Sequence, residues 1–332
     1  MGLCLVAACS PRAASPGVPK TPVAARAPAG PARPAPLPPP TEEERALAER
    51  LRATVSHLAL EVGERHAAEG WNLATATDDI ARTLEKMGYE VRRQGLVAGQ
   101  DVVVQNVEVH VSGGEHGGQT LVVGAHFDTS AGTPGADSDA SGVAAVLELA
   151  RAFRERKLER TVRFAFFTNE EAPHFQTDHM GSLVYAKDLA TQGLDVVGMM
   201  SIDGIGAYSV EPGSARFPAE LAPHYPTTGD FLAVVGNEPS RALLEEVTAS
   251  MKKHATLPIV GSVLGADTPF AASSDQWAFW KVGMPAIMIT DTGPFRYAHY
   301  HQKTDLPEHL DFDRMARVVL GLEQTLAELA EK

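Results

Sequence analysis

Cysteine is almost missing from this chain: two of 332 residues, Cys4 and Cys9, and both fall in the first ten positions. That leaves the rest without a disulfide framework or a thiolate metal site, so any metal there would be held by His, Asp and Glu. Cations are also scarce, 29 Lys and Arg against 42 Asp and Glu, for a net charge of −13. Proteins that live on phosphate contacts need the opposite surplus, which excludes nucleic acid as a main partner. No apolar run reaches the roughly 18–20 residues that span a bilayer. With 44% hydrophobic and 21% charged residues, the composition is that of an ordinary globular protein.

Proline is unevenly spread. Eleven of the 23 prolines lie in the first forty residues, together with four cations (Arg12, Lys20, Arg26, Arg33) and no acid. Residues 10–40 therefore read as a Pro-rich, disordered tether. Ahead of them, residues 1–9 form a short apolar stretch ending in Val6-Ala7-Ala8-Cys9. It resembles a bacterial lipoprotein signal, although no basic residues open it. The resemblance implies a lipid on Cys9 as the one attachment to a membrane, and a place in the bacterial cell envelope.

Residues 41–332 read as one α/β domain. Thr41 and Glu44 stand at capping-box spacing ahead of Leu47, Leu51, Val55 and Leu58, which repeat on one helical face. A second helix is expected around 73–87, ending at Gly88. The Val-rich alternation over 90–113 reads as a β-ribbon or edge strands. TLVVGAHFD is a continuous apolar run, as a strand buried on both faces requires. Beyond it, strands in TVRFAFFTNEE, VVGMMSIDGIG, FLAVVGN and MPAIMITDT alternate with helices, and a long helix closes the chain. Such alternation predicts a mostly parallel mixed sheet flanked by helices on both faces.

Ligands bind α/β sheets at the carboxyl ends of strands. Four segments read as such ends carry metal-competent residues: His126 and Asp128, Glu170 and Glu171, Asp203, and His299 with His301. In His126-Phe127-Asp128 the polar side chains leave a strand on the same side, so the carboxylate can orient the imidazole while the imidazole binds a metal. Adjacent Glu170 and Glu171 project differently, which lets one hold a metal and the other take a proton from water. Asp137 and Asp139 lie beside a helix N-terminus, where acids are favoured without any metal. His174, His179, His224 and His254 read as surface or loop residues, His299 as support for its loop, and Trp277, Phe279 and Trp280 as packing.

Taken together and in this order, these segments resemble the M28 family of zinc aminopeptidases, from about Leu51 to the C-terminal helix. The resemblance implies a phosphorylase/hydrolase-like zinc exopeptidase fold, two zinc ions and a peptide substrate that loses its N-terminal residue. By position it makes His126 and Asp203 ligands of one zinc, with Asp128 orienting His126. Glu171 and His301 become ligands of the other zinc, and Glu170 the general base. Where the family has a bridging aspartate, this chain reads Gly135-Ala136-Asp137-Ser138-Asp139-Ala140-Ser141-Gly142, with Ser138 in register. A hydroxyl compensates two close cations less well than a carboxylate. Asp137 or Asp139 could stand in for the bridging aspartate only if the backbone shifts at the helix start, so Asp137, Ser138 and Asp139 are all candidates, with Asp139 taken as the metal-binding acid of this segment. Gln276 replaces a common His and can donate a hydrogen bond but not a proton. Two alternatives follow from these departures: a single-zinc enzyme similar to glutaminyl cyclases, and an inactive binding lipoprotein that keeps the fold.

Overall fold

The computed structural model describes residues 36–67, 70–97, 103–265 and 267–332. The lipoprotein-like segment with Cys9, and the tether up to residue 35, lie outside them. Helix α1 (Glu42–Ser56) starts on the expected capping box: Thr41 Oγ1 accepts from Glu44 N at 3.1 Å, and the Glu44 carboxylate accepts from Thr41 N at 2.7 Å. The apolar face continues past Ser56, but as a wider π-helical turn over His57–Val62. Helix α2 spans Gly70–Lys86.

Eight strands form one sheet among the described residues: β1 (Arg92–Val97), β2 (Val103–Val111), β3 (Gly113–His126), β4 (Leu158–Phe167), β5 (Asp195–Ile202), β6 (Leu232–Gly236), β7 (Ile259–Val263) and β8 (Ala286–Thr290). Their order across the sheet is β1-β2-β4-β3-β5-β8-β6-β7. The centre is parallel, with β3 between β4 and β5 and β5 beside β8; β1–β2, β2–β4 and β6–β8 pair antiparallel. Edge strand β7 is parallel to β6. The remaining helices are α3 (Gly142–Phe153), α4 (Gly181–Thr191), α5 (Arg241–His254), α6 (Gln276–Lys281), α7 (Gly293–Arg296) and α8 (Phe312–Ala330).

The continuous apolar runs have the expected cause. In β3, Leu121, Val123 and Ala125 enter the core under α1, α3 and α8, while Val122 enters the opposite layer under α4 and α6. Strand β4 divides likewise, Val162, Phe164 and Phe166 against Ala165 and Phe167. A strand covered on both faces has no solvated side to reserve for polar residues. Both carboxyl ends therefore emerge from a close-packed interior, which holds the residues that follow them.

The described start of the chain is fastened to this body. Arg317 on α8 donates from Nη2 to Pro38 O at 2.5 Å and faces the Glu44 carboxylate at 3.5 Å. Arg45 donates to Pro40 O at 2.5 Å, and Leu37 packs on the core. No helix among the described residues is long and apolar enough to cross a membrane.

Candidate metal centre

His126 is the last residue of β3, and Asp203 follows the end of β5 directly. Parallel pairing sets these two ends side by side, because Gly124 of β3 is in register with Ser201 of β5. His126 Nε2 lies 3.9 Å from Asp203 Oδ1. Asp139 comes from the turn that opens α3. There Ser138 (φ −111°, ψ 89°) and Asp139 (φ −135°, ψ 44°) leave helical geometry, the backbone shift that Asp139 requires. Its Oδ1 accepts from Gly142 N at 2.9 Å and Gly204 N at 3.1 Å. Gly142 is needed for this approach, since a Cβ there would overlap Ile202 O and both oxygens of the Asp139 carboxylate. His126, Asp139 and Asp203 each offer a ligand atom within 4.8 Å of the others. Of the three candidates at the bridge segment, Asp139 alone joins this group. Asp137 turns away, accepts from Gly206 N at 2.8 Å and faces Asp291; burial and the Asp291 charge push its carboxyl well above the usual range.

Glu170 and Glu171 follow β4 after Asn169, which takes a left-handed turn at φ 59°, a conformation Asn tolerates better than most residues. The turn aims both glutamate N–H groups at one acceptor. Asp128 Oδ1 takes Glu170 N at 3.1 Å, and Oδ2 takes Glu171 N at 3.0 Å. Asp128 thus ties the β3 end to the β4 end. Its contact with His126 Nδ1 is shared, the carboxylate standing at 3.4 Å and its own backbone carbonyl at 3.1 Å.

The side chains of the two glutamates diverge. Glu170 Oε2 points to His126 Nε2 at 3.8 Å, whereas Glu171 Oε1 stands 3.1 Å from His301 Nε2. Environment separates their acidities. Burial, with the nearby Glu171 and Asp275 charges, raises Glu170 well above its ordinary value despite His126. Burial would raise Glu171 too, but the hydrogen bond and charge of His301 outweigh it and leave Glu171 lowered. For His126, burial disfavours the charged form, yet the surrounding carboxylates, Glu170 foremost, win and raise it.

His301 is not at a strand end as the sequence suggested. It sits eleven residues beyond β8, on the loop after α7. That loop is tied back by Asp305, which accepts from Asp137 N at 2.9 Å, Ser138 N at 3.3 Å and the Tyr297 hydroxyl at 2.9 Å. Ser138 Oγ is then 3.3 Å from His301 Nε2. His299 supports the loop, bonded to Thr304 and stacked on His309. Gln276 is fully buried and donates to Ala271 O at 2.8 Å. The donor set suits a hard or borderline divalent ion, being imidazole and carboxylate without sulfur. Asp139 Oδ2, Glu170 Oε1 and Glu171 Oε1 are buried without a hydrogen-bond partner, as expected of atoms whose partner is an ion, water or substrate. Asp203 and His301 remain partly exposed, so the cluster opens to solvent between them.

Sequence reasoning missed three residues: Ser130, which bonds Glu171 and His301, Asp305, and Arg65. The Arg65 guanidinium donates to the carbonyls of Leu58, Gly63, Phe127, Pro134 and Gly135, and so pins the loop between His126 and Asp139.

A sequence model described as peptidase family M28 matches residues 106–325. An uncharacterised protein of Escherichia coli K12, YfbL, is 32% identical over 295 residues, covering 85% of this chain and 88% of that protein. A probable zinc metalloprotease of Pyrenophora tritici-repentis is 28% identical over 331 residues, covering 84% of this chain and 67% of its own length. Among solved structures, BSAP, a zinc aminopeptidase from Bacillus subtilis, superposes with a TM-score of 0.69 at 15% identity, covering 86% of this chain and 95% of that one. The glutaminyl cyclase of Bacteroides thetaiotaomicron superposes with a TM-score of 0.63 at 15% identity, covering 88% and 99%. The family match spans more than half of the chain and takes in nearly all of the cluster just described: the chain belongs to peptidase family M28.

Proposed function

We propose that this chain is a zinc-dependent aminopeptidase that hydrolyses the N-terminal residue from peptides. His126, Asp139 and Asp203 would hold one zinc ion, and Glu171 and His301 the position beside it. The zinc metalloprotease and zinc aminopeptidase named above favour that metal. Zinc, when bound, supplies Lewis acidity, polarising the scissile carbonyl and making water easier to deprotonate. The chain's own residues do the rest. Asp128 holds the backbone of both glutamates, so that Glu170 presents a carboxylate beside the ion cluster while Glu171 is committed to His301. Glu170 takes the proton of the attacking water and passes it to the leaving amine as the peptide bond breaks.

The observation that carries this reading is the contrast between adjacent buried glutamates: Glu171 is held by Ser130 and His301 and lowered, whereas Glu170 has no such partner and is raised. A proton carrier needs the second environment. Glu170→Gln should lower hydrolysis of aminoacyl p-nitroanilides by about 10²–10⁴-fold while zinc content by elemental analysis stays unchanged. Loss of zinc with turnover retained would exchange the two roles.

A second reading has its own support, Ser138 in the bridge segment together with the likeness to a glutaminyl cyclase. Peptides beginning with Gln separate the two. Release of free Gln supports the aminopeptidase, and loss of ammonia with a blocked N-terminus supports the cyclase.

A further inference from the structure

The two halves of the candidate centre are not equivalent. The first brings two carboxylates and an imidazole together, with Asp139 Oδ2 buried and unpaired. The second has one carboxylate, Glu171, one imidazole, His301, and at the bridge only the Ser138 hydroxyl. What holds this second half together is Ser130, at the end of the segment that leaves β3. Its Oγ lies 2.7 Å from Glu171 Oε2 and 3.0 Å from His301 Nδ1.

A hydroxyl has a single proton. At 2.7 Å Ser130 gives it to the carboxylate oxygen Glu171 Oε2, which can only accept. Ser130 Oγ must then accept from His301, so Nδ1 carries the ring proton. In the neutral ring that leaves Nε2 with its lone pair, 3.1 Å from Glu171 Oε1 and 3.3 Å from Ser138 Oγ. Two electron-rich atoms at that separation repel unless a proton or a metal ion lies between them: a charged His301 ring supplies the proton, and a metal ion takes its place when the ring is neutral. The geometry is therefore one that a metal ion can enter by displacing a proton, with a single formal charge to hold it.

We infer that Ser130 is the positioning residue of a second, weaker metal position formed by Glu171 Oε1, His301 Nε2 and Ser138 Oγ, filled only after the His126–Asp139–Asp203 position. This rests on the metallopeptidase reading above and adds to it an order of filling and the residue that makes the second step possible. Two carboxylates outweigh one in attracting a divalent ion, and a ring nitrogen fixed through its other N–H by an outer partner is the better ligand.

Zinc titration of the chelator-stripped full chain tests the inference. Calorimetry would be combined with elemental analysis after dialysis at low and high zinc. Wild type should bind one ion tightly and a second at least about tenfold more weakly. Ser130→Ala should weaken the second step by about 10–100-fold, as outer-partner substitutions do, and leave the first step and the melting temperature in place. Ser130→Thr, which keeps the hydroxyl, should restore it, and Ser138→Asp should draw the second step toward the first. Two ions bound in one indistinguishable class would overturn the inference and leave the function standing. So would a second step that Ser130→Ala does not move, or an equal loss at both steps. Failure of the chain to bind zinc at all would overturn both readings.

Discussion

Arg65 is a fully buried cation with no carboxylate in hydrogen-bond contact, and its charge is dispersed over five backbone carbonyls. Burial lowers its pKa to about 10, still far above neutrality, so the guanidinium stays charged and fixed. No other side chain has enough donors in the right fork to serve five acceptors. Arg65→Met should cost at least about 3 kcal/mol in urea denaturation, because several buried carbonyls lose their partner. Arg65→Lys should recover less than half of that loss, and full recovery would show that charge alone is what matters. At this scale the legible residues were those with an acting neighbour in sequence or, like Asp203, a place at the end of a readable strand. His126 has Asp128, and Glu170 has Glu171. Arg65, Ser130 and Asp305 left no such signature, because their partners lie on segments far along the chain and only the fold shows them.

The joint between α1 and α2 depends on His57, in the π-helical turn. Its Nδ1 stands 2.7 Å from Glu61 Oε2 and its Nε2 2.8 Å from Asp79 Oδ2, and Asp79 also pairs with Arg82. Partial burial works against the charged ring, but the two carboxylates outweigh it and raise the pKa above 6.5. A folded-state value above the unfolded one means stabilisation that is complete below the unfolded pKa and fades as pH rises through the folded one. The melting-temperature advantage of wild type over His57→Ala should therefore be largest near pH 5–6 and shrink toward pH 8. A difference independent of pH would refute this account. Elements were readable where burial was continuous, as in the carboxyl-terminal parts of β3, β4 and β5 and the whole of β8. Strand β7 was not, since an edge position leaves it unevenly buried around an exposed Gly261, and it is too short for a periodic signal. The short α6 and α7 failed for the same reason, and with α7 went the true setting of His301.

For the whole molecule, composition separated a proline-rich first segment from an acidic body, and the strand-helix alternation gave the layered architecture of that body. The order of strands and the antiparallel pairings were beyond it, because pairing is decided between segments rather than within them. We propose that the chain is anchored in the bacterial envelope through lipid on Cys9. Cys9→Ser should move the protein from the membrane fraction to the soluble one and abolish labelling by a palmitate analogue; retention in the membrane would sink the proposal. The described chain begins in a fastened stretch, residues 36–40. A pull arriving at residue 36 is met first by Arg317 and Arg45, which grip Pro38 and Pro40, and then by the seam of α1 against α8. Such a load runs along two helices that carry none of the metal-competent residues. Drag on the anchor would be borne by that seam, leaving the spacing of the strand-end cluster undisturbed.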